Sequence, residues 1–310
     1  MLKSCIIGYG NIAVSHKKGY DKLLDVSVVA ACDIRPERRE EAISHGLRAY
    51  ENVNEMLEKE APDFVDICLP TYLHCEYTVR MLEKGYHVLC EKPMGRNPDE
   101  CQKMLDAAKN SKKHLMIGMC LRYDSFYNKL KEYVDGGKYG KVTSATMYRV
   151  SPLPPWGYNN WFADESLSGG VILDMSVHDI DICRYIFGEP ERFSAAADHR
   201  SMKNGAVHTE LIYPDKIISI LGDWCVAKSY PFRAGFTVNF EKATLTLDGK
   251  EMKLYTDNEA ISVDVDAYSH IAAEISHFAR VLKGEASVSA EDSAKTIALI
   301  NKIQGELQCR

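Results

Sequence analysis

A short glycine motif near the start of the chain constrains the fold most strongly. Residues 8–13 read Gly-Tyr-Gly-Asn-Ile-Ala, the spacing Gly-x-Gly-x-x-Ala, directly after the apolar run Leu2–Ile7. The first glycine permits a tight turn after a strand, the second leaves room for a phosphate, and the alanine lets the next helix pack closely. The motif predicts a dinucleotide-binding turn whose phosphates meet the N-terminus of a helix. The expected cofactor contacts are Gly8, Tyr9, Gly10, Asn11 and Ile12.

Short apolar runs alternate with amphipathic stretches over the first 120 residues. The runs predict strands at Leu2–Ile7, Val26–Ile34, Phe64–Leu69, His87–Cys90 and Leu115–Cys120. The stretches between them predict helices at Ile12–Leu24, Pro36–His45, Tyr72–Lys84 and Asn97–Lys112. Near-continuous apolar strands that alternate with helices are typical of a parallel sheet covered on both faces. Residues 1–120 are therefore predicted to form an α/β Rossmann domain with a doubly wound parallel sheet.

The pattern changes after Leu121. Alternating stretches predict strands at Val142–Val150, Ala206–Tyr213, Lys216–Asp223 and Gly235–Asp248, and Asp248-Gly249 indicates a hairpin turn. Helices are predicted at Phe126–Val134, Gly170–Phe187, Tyr268–Leu282 and Glu291–Leu307. Residues 121–310 are therefore predicted to form an α+β domain with a mostly antiparallel open sheet. The C-terminal helix is expected to pack within this domain or back on the first one.

Charge and hydropathy argue against two classes of protein. The net charge is −6, whereas proteins that bind nucleic acids usually carry a basic face. No stretch approaches the roughly 20 consecutive apolar residues of a membrane helix. The apolar run before Gly8 is too short for a secretory signal, so we expect a cytoplasmic protein.

The ten cysteines do not indicate a metal site, because no two of them form a Cys-x-x-Cys pair. Reduced cysteines in apolar runs behave as small hydrophobic residues. No metal is expected, and burial in strands is predicted for Cys5, Cys32, Cys68, Cys90 and Cys120.

An acidic residue at the end of the second predicted strand bears on the choice of cofactor. Asp33 stands twenty residues after Ala13, where a carboxylate accepts hydrogen bonds from the ribose hydroxyls and repels a 2′-phosphate. NAD is therefore favoured over NADP. Arg35 argues in the other direction, because it would pair with a 2′-phosphate if Asp33 turned away.

A lysine follows the strand at His87–Cys90, within Glu91-Lys92-Pro93. In a doubly wound sheet, ligands bind beyond the carboxyl ends of the strands, so Lys92 is expected beside the nicotinamide. A lysine there can donate to a substrate hydroxyl and stabilise charge that develops on its oxygen. The alternative is a surface lysine at a strand end.

A second polar pair follows Gly169-Gly170. Asp174 and His178 are four residues apart and would share one face of the helix predicted at Gly170–Phe187. Histidine is the natural acid–base group at neutral pH, and the aspartate would bind substrate or tune the imidazole. A structural pair is the alternative, as is half of a metal site, for which no further ligands are found.

An aromatic loop precedes this helix and contains Trp156, Tyr158 and Trp161. Flat rings beside polar groups suit the apolar faces of sugars, so these residues are candidates for substrate binding. The alternative is that they anchor the core of the second domain.

Taken together, the Gly-x-Gly-x-x-Ala turn, Glu91-Lys92-Pro93 and the run from Gly169-Gly170 to His178 resemble the Gfo/Idh/MocA family, which includes glucose–fructose oxidoreductase and inositol dehydrogenases. The resemblance covers essentially the whole chain. Residues 69–74, Leu-Pro-Thr-Tyr-Leu-His, are similar to the family's Thr-Pro-Asn-x-x-His segment. In this chain Pro70-Thr71 has the inverted order of the family's Thr-Pro, and Tyr72 stands at the asparagine position. Arg122-Tyr123 resembles the family's Arg-Phe pair.

The resemblance implies a set of roles. His178 takes the proton of the substrate hydroxyl, Lys92 orients that hydroxyl, and Asp174 positions both the substrate and His178. Further cofactor contacts are implied for Leu69, Thr71, His74 and Glu91, and a substrate contact for Arg122. The resemblance also implies that the second domain, residues 121–310, binds the substrate and associates through its sheet into a homodimer or homotetramer.

Three functional hypotheses follow. The first is an NAD(P)-dependent dehydrogenase that oxidises a secondary alcohol of a sugar, inositol or related polyol. The second is a nicotinamide-binding regulator without turnover, against which the presence of Lys92, Asp174 and His178 argues. The third is a sugar enzyme that oxidises and re-reduces its own bound NAD within one cycle.

Overall fold

The computed structural model describes residues 1–198 and 205–308. Residues 199–204, 309 and 310 lie outside the described residues, and with them Cys309. The chain divides into two compact units. The first comprises Met1–Cys120 and Ser269–Lys295, and the second comprises Leu121–Tyr268 and the chain from Thr296 onward.

The described residues contain fourteen strands and eleven α-helices. The strands are β1 (Leu2–Ile7), β2 (Val26–Cys32), β3 (Arg48–Tyr50), β4 (Phe64–Ile67), β5 (His87–Glu91), β6 (Leu115–Gly118), β7 (Val142–Val150), β8 (Arg192–Asp198), β9 (Ala206–Ile212), β10 (Ile217–Asp223), β11 (Arg233–Phe240), β12 (Thr244–Asp248), β13 (Glu251–Tyr255) and β14 (Ala260–Ser262). The helices are α1 (Asn11–Tyr20), α2 (Pro36–Ser44), α3 (Val53–Glu60), α4 (Thr71–Glu83), α5 (Pro98–Ser111), α6 (Ser125–Gly136), α7 (Glu165–Ser168), α8 (Gly170–Asp174), α9 (Ser176–Phe187), α10 (His270–Leu282) and α11 (Ala290–Gln308).

The first unit is built on a six-stranded sheet in the order β3-β2-β1-β4-β5-β6, and every pair of neighbouring strands is parallel. The order reverses at β1, as in a doubly wound Rossmann sheet. All residues of β4 and β6 are buried, which accounts for the continuous apolar runs in the sequence. The predicted fold of this part is confirmed.

Two elements of the first unit were not predicted, and one prediction is wrong. The strand β3 has three residues at the edge of the sheet, and α3 begins after the N-cap Asn52, whose side chain accepts from two backbone N–H groups. The strand is too short to show a period, whereas Val53, Met56 and Leu57 give α3 buried apolar side chains at helical spacing. The strand predicted to end at Cys120 ends at Gly118, and Cys120 opens a 3₁₀ helix in which it is only half-buried.

The helix α10 completes the core of the first unit. Phe278 packs edge-on against Phe64 of β4, with ring centroids 5.3 Å apart. On α1, a Cβ atom at Gly19 would lie 3.1 Å from the Ile271 side chain and 3.2 Å from the Ile275 side chain. The glycine therefore permits the close approach of α1 and α10.

The second unit contains an eight-stranded sheet in the order β14-β13-β12-β11-β7-β10-β9-β8. Its neighbouring strands are antiparallel except β7 and β10, which are parallel. Between these two strands the chain passes through the helices α7, α8 and α9 and then through β8 and β9. The predicted mostly antiparallel sheet is confirmed. The run expected over Gly235–Asp248 divides into β11 and β12, and the hairpin after Asp248 has Gly249 at φ +63°.

The helix predicted over Gly170–Phe187 is interrupted at Met175, which separates α8 from α9. The His178 N–H donates to the Met175 carbonyl three residues before it, a tighter turn than that of an α-helix. The interruption lies where α9 meets β10, since a Cβ atom at Gly222 would come within 2.1 Å of Ser176 Oγ. Asp174 and His178 therefore lie in two consecutive helices, α8 and α9, and not in the single helix that was predicted.

Candidate active site

The turn between β1 and α1 has the geometry expected of a phosphate-binding loop. Gly8 has φ +87°, and a Cβ atom there would lie 2.8 Å from both the Cys68 carbonyl oxygen and the Leu69 side chain. Gly10 is the N-cap of α1, and a Cβ atom there would meet nothing within 4 Å. The backbone conformation and the packing of the protein thus require glycine at position 8, whereas the space beside Gly10 is open. An open position at a helix N-terminus fits a dinucleotide phosphate.

Asp33 follows β2 at the same edge of the sheet and is tightly held. One of its oxygens accepts from the Tyr9 N–H at 2.9 Å, and both oxygens accept from the Arg35 guanidinium at 3.0 and 3.1 Å. Burial by itself would raise the pKa of this carboxyl, but the hydrogen bonds from Arg35 and Tyr9 outweigh it, and the pKa is lowered. Asp33 is therefore an ionised acceptor next to the glycine turn, and Arg35 is its partner.

The segment after β4 lies against the glycine turn. Leu69 contacts the space above Gly8, and Thr71 is buried at the start of α4. The His74 ring nitrogens lie 2.7 Å from the Pro93 carbonyl oxygen and 2.8 Å from that of Leu69. The imidazole thus contacts the segments that follow β4 and β5. Because burial lowers the pKa of His74, the neutral ring donates its single N–H to one of these two carbonyl oxygens.

Lys92 follows β5 directly and is half-buried, with a cis peptide bond to Pro93. It therefore lies at the carboxyl edge of the sheet, where Gly8 and Asp33 follow β1 and β2. The preceding carboxylate, Glu91, is buried and accepts from the Lys92 backbone N–H at 3.2 Å.

Behind Lys92 lies a network of buried polar groups. The imidazole of His16, on α1, is 0 % exposed. Its Nδ1 atom lies 2.8 Å from Asp66 and its Nε2 atom 2.9 Å from Glu91. The Tyr20 hydroxyl donates to Asp66 at 2.9 Å. We call His16, Asp66, Glu91 and Tyr20 the His16 network.

Neighbouring charges in the His16 network stabilise the charged forms of His16 and Glu91. Burial would lower the pKa of His16, but the charge of Asp66 and its hydrogen bond outweigh it, and the pKa lies well above 6.5. Burial would raise the pKa of Glu91, but the hydrogen bond and charge of His16 outweigh it, and the pKa is lowered. Both ring nitrogens then donate, so His16 is an imidazolium between two carboxylates.

A third carboxyl faces this network from α10. Glu274 is fully buried, and neither of its oxygens has a hydrogen-bond partner among the described residues. Its pKa is raised well above 4.5 by burial and by the charge of Glu91. Potential ligand atoms of His16, Glu91 and Glu274 lie within 4.8 Å of one another, as do those of His16, Asp66 and Cys68. In both groups the ring nitrogens of His16 already form hydrogen bonds with the Asp66 and Glu91 carboxylates.

The second unit holds the other predicted catalytic side chains. Asp174 ends α8 and is buried, and His178 lies half-buried in the first turn of α9. The next acidic residue, Asp179, is fully buried and accepts two hydrogen bonds from Arg149, at 3.0 and 3.1 Å. This ion pair ties α9 to β7.

Arg122, predicted to contact substrate, is bound within the second unit. Its guanidinium donates to both oxygens of Asp181 at 2.7 and 2.6 Å, and it lies 5.2 Å from the centre of the Tyr185 ring. Thr296, in α11, also donates to Asp181 at 2.8 Å. The predicted substrate contact of Arg122 stays a prediction, but the arginine also has a structural role.

The aromatic loop divides into two kinds of residue. Trp161 is only 9 % exposed and stacks on Phe162, with centroids 4.0 Å apart. Trp156 and Tyr158 are 59 % and 41 % exposed. The core interpretation therefore suits Trp161, and the two exposed rings are better candidates for contact with a ligand.

His16, Asp66 and Glu274 were not predicted from the sequence. A signal for the first was present, since Ala13, His16 and Tyr20 have the spacing of one buried helix face. A signal for Asp66 was also present, since it is a charged residue within an otherwise apolar strand. Nothing local points to Glu274, which is far along the chain.

Comparisons with known proteins agree with this architecture. Residues 2–119 match the family model described as "Oxidoreductase family, NAD-binding Rossmann fold", and residues 127–246 match the Gfo/Idh/MocA C-terminal domain. The chain belongs to the Gfo/Idh/MocA family. The Rossmann match confirms the predicted NAD-binding domain.

Two of the similar proteins are named as dehydrogenases. A myo-inositol 2-dehydrogenase from Thermotoga maritima is 33 % identical over 215 residues, 67 % of this chain and 63 % of the relative. A D-glucoside 3-dehydrogenase from Escherichia coli is 33 % identical over 195 residues, 61 % of this chain and 55 % of the relative. The match thus spans less than two thirds of the length of these relatives.

A solved structure shows the same fold along nearly the whole chain. An oxidoreductase from Agrobacterium radiobacter, in complex with NAD+, L-tartaric acid and magnesium, has a TM-score of 0.85 and 18 % identity. The alignment covers 99 % of this chain and 96 % of that one.

Within residues 1–198 and 205–308, no helix has the length and apolar character to cross a membrane.

Proposed function

We propose that the protein is an NAD-dependent dehydrogenase that oxidises a secondary alcohol of a sugar, inositol or related polyol. The observation that carries the proposal is Lys92, a half-buried lysine immediately after β5, at the sheet edge that carries the open Gly10 turn. The names of the two curated relatives, which specify oxidation at position 2 of an inositol and position 3 of a glucoside, support this substrate class.

The residues of the first unit fit the cofactor. The N–H groups at the start of α1 would hold the phosphates over Gly10, and Asp33 would accept from the ribose hydroxyls. The Asp33 carboxylate accepts hydrogen bonds from the backbone N–H groups of Tyr9 and Arg35 and from the Arg35 guanidinium, so the Arg35 side chain would move aside when the ribose binds. NAD remains favoured over NADP, because Asp33 places a carboxylate where a 2′-phosphate would lie. When bound, NAD accepts the hydride.

The remaining chemistry falls to three side chains. His178 would accept the proton of the substrate hydroxyl as a general base. Lys92 would donate a hydrogen bond to the same oxygen and stabilise its negative charge, and Asp174 would orient the substrate and His178. Because Lys92 belongs to one unit and the other two residues to the second, their joint action rests on the family resemblance. Trp156, Tyr158 and Arg122 are proposed to shape the substrate site.

Assembly and location are part of the proposal. The resemblance supports a homodimer or homotetramer formed through the sheet of the second unit. A cytoplasmic location is supported by the cysteines, since all nine in the described part of the chain are free thiols, as expected in a reducing compartment.

The test is a turnover assay with NAD or NADP and a panel of inositols, hexoses, pentoses and sugar acids, followed by the absorbance of reduced nicotinamide. Lys92→Met and His178→Ala should each lower kcat by a factor of about 10²–10⁴ while NAD still binds. Lys103→Met and His208→Ala, both at exposed positions, are the matched controls. Full activity in Lys92→Met and His178→Ala would refute the proposed roles, and NAD binding without any turnover would favour the regulator or the self-recycling enzyme.

A further inference from the structure

The backbone on both sides of Lys92 is held by buried histidines. On one side, Glu91 accepts from the Lys92 N–H at 3.2 Å and contacts His16 at 2.9 Å. On the other side, the Pro93 carbonyl lies 2.7 Å from His74 Nδ1. Lys92 is therefore the half-buried member of a segment whose two neighbours are fixed from inside the domain.

Stability alone does not explain the His16 network. Burying an imidazolium between carboxylates costs desolvation energy that the ion pairs only partly return, and apolar residues of similar size often stabilise a protein as well or better. Glu274 adds a buried carboxyl without a hydrogen-bond partner among the described residues, which is a further cost. Costs concentrated beside a functional residue indicate that the arrangement serves the site.

The packing around the network leaves little freedom of movement. A Cβ atom at Gly118 would lie 3.2 Å from Glu274 and 3.3 Å from Glu91. At the other end, Asp66 accepts from Tyr20 at 2.9 Å, and the Tyr20 hydroxyl lies 3.0 Å from that of Ser4. The Glu91 carboxylate is thus held by hydrogen bonds from His16 and Lys92 against a closely packed wall.

We propose that His16 and Glu91 are positioning residues, which hold the Lys92 backbone so that its ammonium group meets the substrate hydroxyl in the reactive geometry. The inference rests on the proposed function, since it assigns Lys92 a role in turnover. His16 does not touch the substrate; it acts through Nε2 and Glu91, while Nδ1 and Asp66 hold the imidazole in place. A small displacement of a catalytic group is enough to cost much of the rate.

The two ring nitrogens can be tested separately, because amide side chains imitate them one at a time. A glutamine at position 16 places an N–H donor near Nε2, towards Glu91, and an asparagine places one near Nδ1, towards Asp66. Both variants lose the charge and one hydrogen bond, so their losses of stability should be similar. His16→Asn should lower kcat by a factor of about 100, with KM for NAD little changed, whereas His16→Gln should retain most of kcat.

Tyr20→Phe serves as the control for a purely structural effect. It removes a hydrogen bond to Asp66 at the end of the network remote from Lys92, so it should lower the melting temperature and leave kcat unchanged. If kcat in the His16 variants and in Tyr20→Phe simply followed the melting temperature, the network would be structural and the proposal would be wrong.

A second readout does not need turnover. The rate at which acetic anhydride labels Lys92, measured by mass spectrometry on the full chain, reports the surroundings of its amine. The rate should change severalfold in His16→Asn and stay near the wild-type value in His16→Gln. A wild-type protein without turnover would refute the proposed function, yet the labelling would still test the positioning. Should both His16 variants fail to fold, Glu91→Ala replaces them, and an unchanged labelling rate in that variant would overturn the inference.

Discussion

Two glycines of one motif should fail for different reasons when each is replaced by alanine. At Gly8, φ is +87° and a Cβ atom would lie 2.8 Å from a backbone oxygen and from a leucine methyl. The left-handed conformation costs about 1–2 kcal/mol and the overpacking about 1–3 kcal/mol, so Gly8→Ala should lose about 2–5 kcal/mol of unfolding free energy. That is a large share of the roughly 5–15 kcal/mol that stabilises a typical domain.

Gly10→Ala should behave in the opposite way. Its φ of −85° suits any residue, and a Cβ atom there meets nothing within 4 Å. Alanine lowers the conformational entropy of the unfolded chain, which stabilises the fold, but it is a poorer N-cap residue than glycine, which destabilises it. The two effects should nearly cancel, so the free energy of unfolding should change by no more than about 1 kcal/mol. The methyl group would occupy the space of the phosphates, so NAD affinity should fall at least about tenfold, or about 1.4 kcal/mol.

Urea unfolding without cofactor and calorimetric titration with NAD separate the two effects. The expected pattern is an unstable Gly8→Ala and a stable Gly10→Ala that binds NAD weakly. Wild-type affinity in Gly10→Ala would refute the placement of the phosphates, and a stability loss equal to that of Gly8→Ala would refute the reasoning from open space.

Three further predictions concern charge. Arg149→Met leaves Asp179 buried without its hydrogen-bonded partner and should cost about 3–5 kcal/mol in urea unfolding; a loss under about 1 kcal/mol would contradict the role of the pair. Asp33→Asn should lower the ratio of kcat/KM for NAD to that for NADP, since the charge that repels a 2′-phosphate is removed. An unchanged ratio would show that Asp33 does not contact the cofactor ribose. The raised pKa of Glu274 means that the folded state binds more protons than the unfolded state above pH 4.5, so stability should fall as the pH rises from there towards the folded pKa. Glu274→Gln should flatten that dependence of the melting temperature on pH, and an identical slope would contradict the assignment.

The sequence predicted most of the first sheet, and the reason is physical. Strands covered by helices on both faces must be apolar throughout, so β1, β2, β4 and β5 stand out as runs. The strand β3 escaped because it has three half-buried or exposed residues at the edge, including Arg48. Local composition carries no information about an element that buries so little.

The candidate site was predictable where its residues belong to motifs and not where it depends on tertiary contacts. Gly8, Asp33 and Lys92 each follow a strand end, which places them at one edge of the sheet without any knowledge of side chains. The break at Met175 was not predictable, because it lies where Ser176 packs against Gly222 of β10, a strand distant in the sequence. The spacing of Asp174 and His178 suggested a continuous helix that tertiary packing interrupts.

The His16 network shows why a local pattern is insufficient here. Its members come from α1, β4 and β5, and Glu274 faces it from α10, a helix that the chain reaches only after the whole second sheet. Each of these positions, taken alone, reads as a buried polar residue that ought to be unfavourable. Together their costs are partly offset, because the imidazolium lies between the two carboxylates and the raised pKa of Glu274 leaves it neutral. The residue that this arrangement holds most directly is Glu91, and the next residue is Lys92. Conflict between local preference and burial therefore marks this edge of the first sheet as a functional region, independently of the glycine motif.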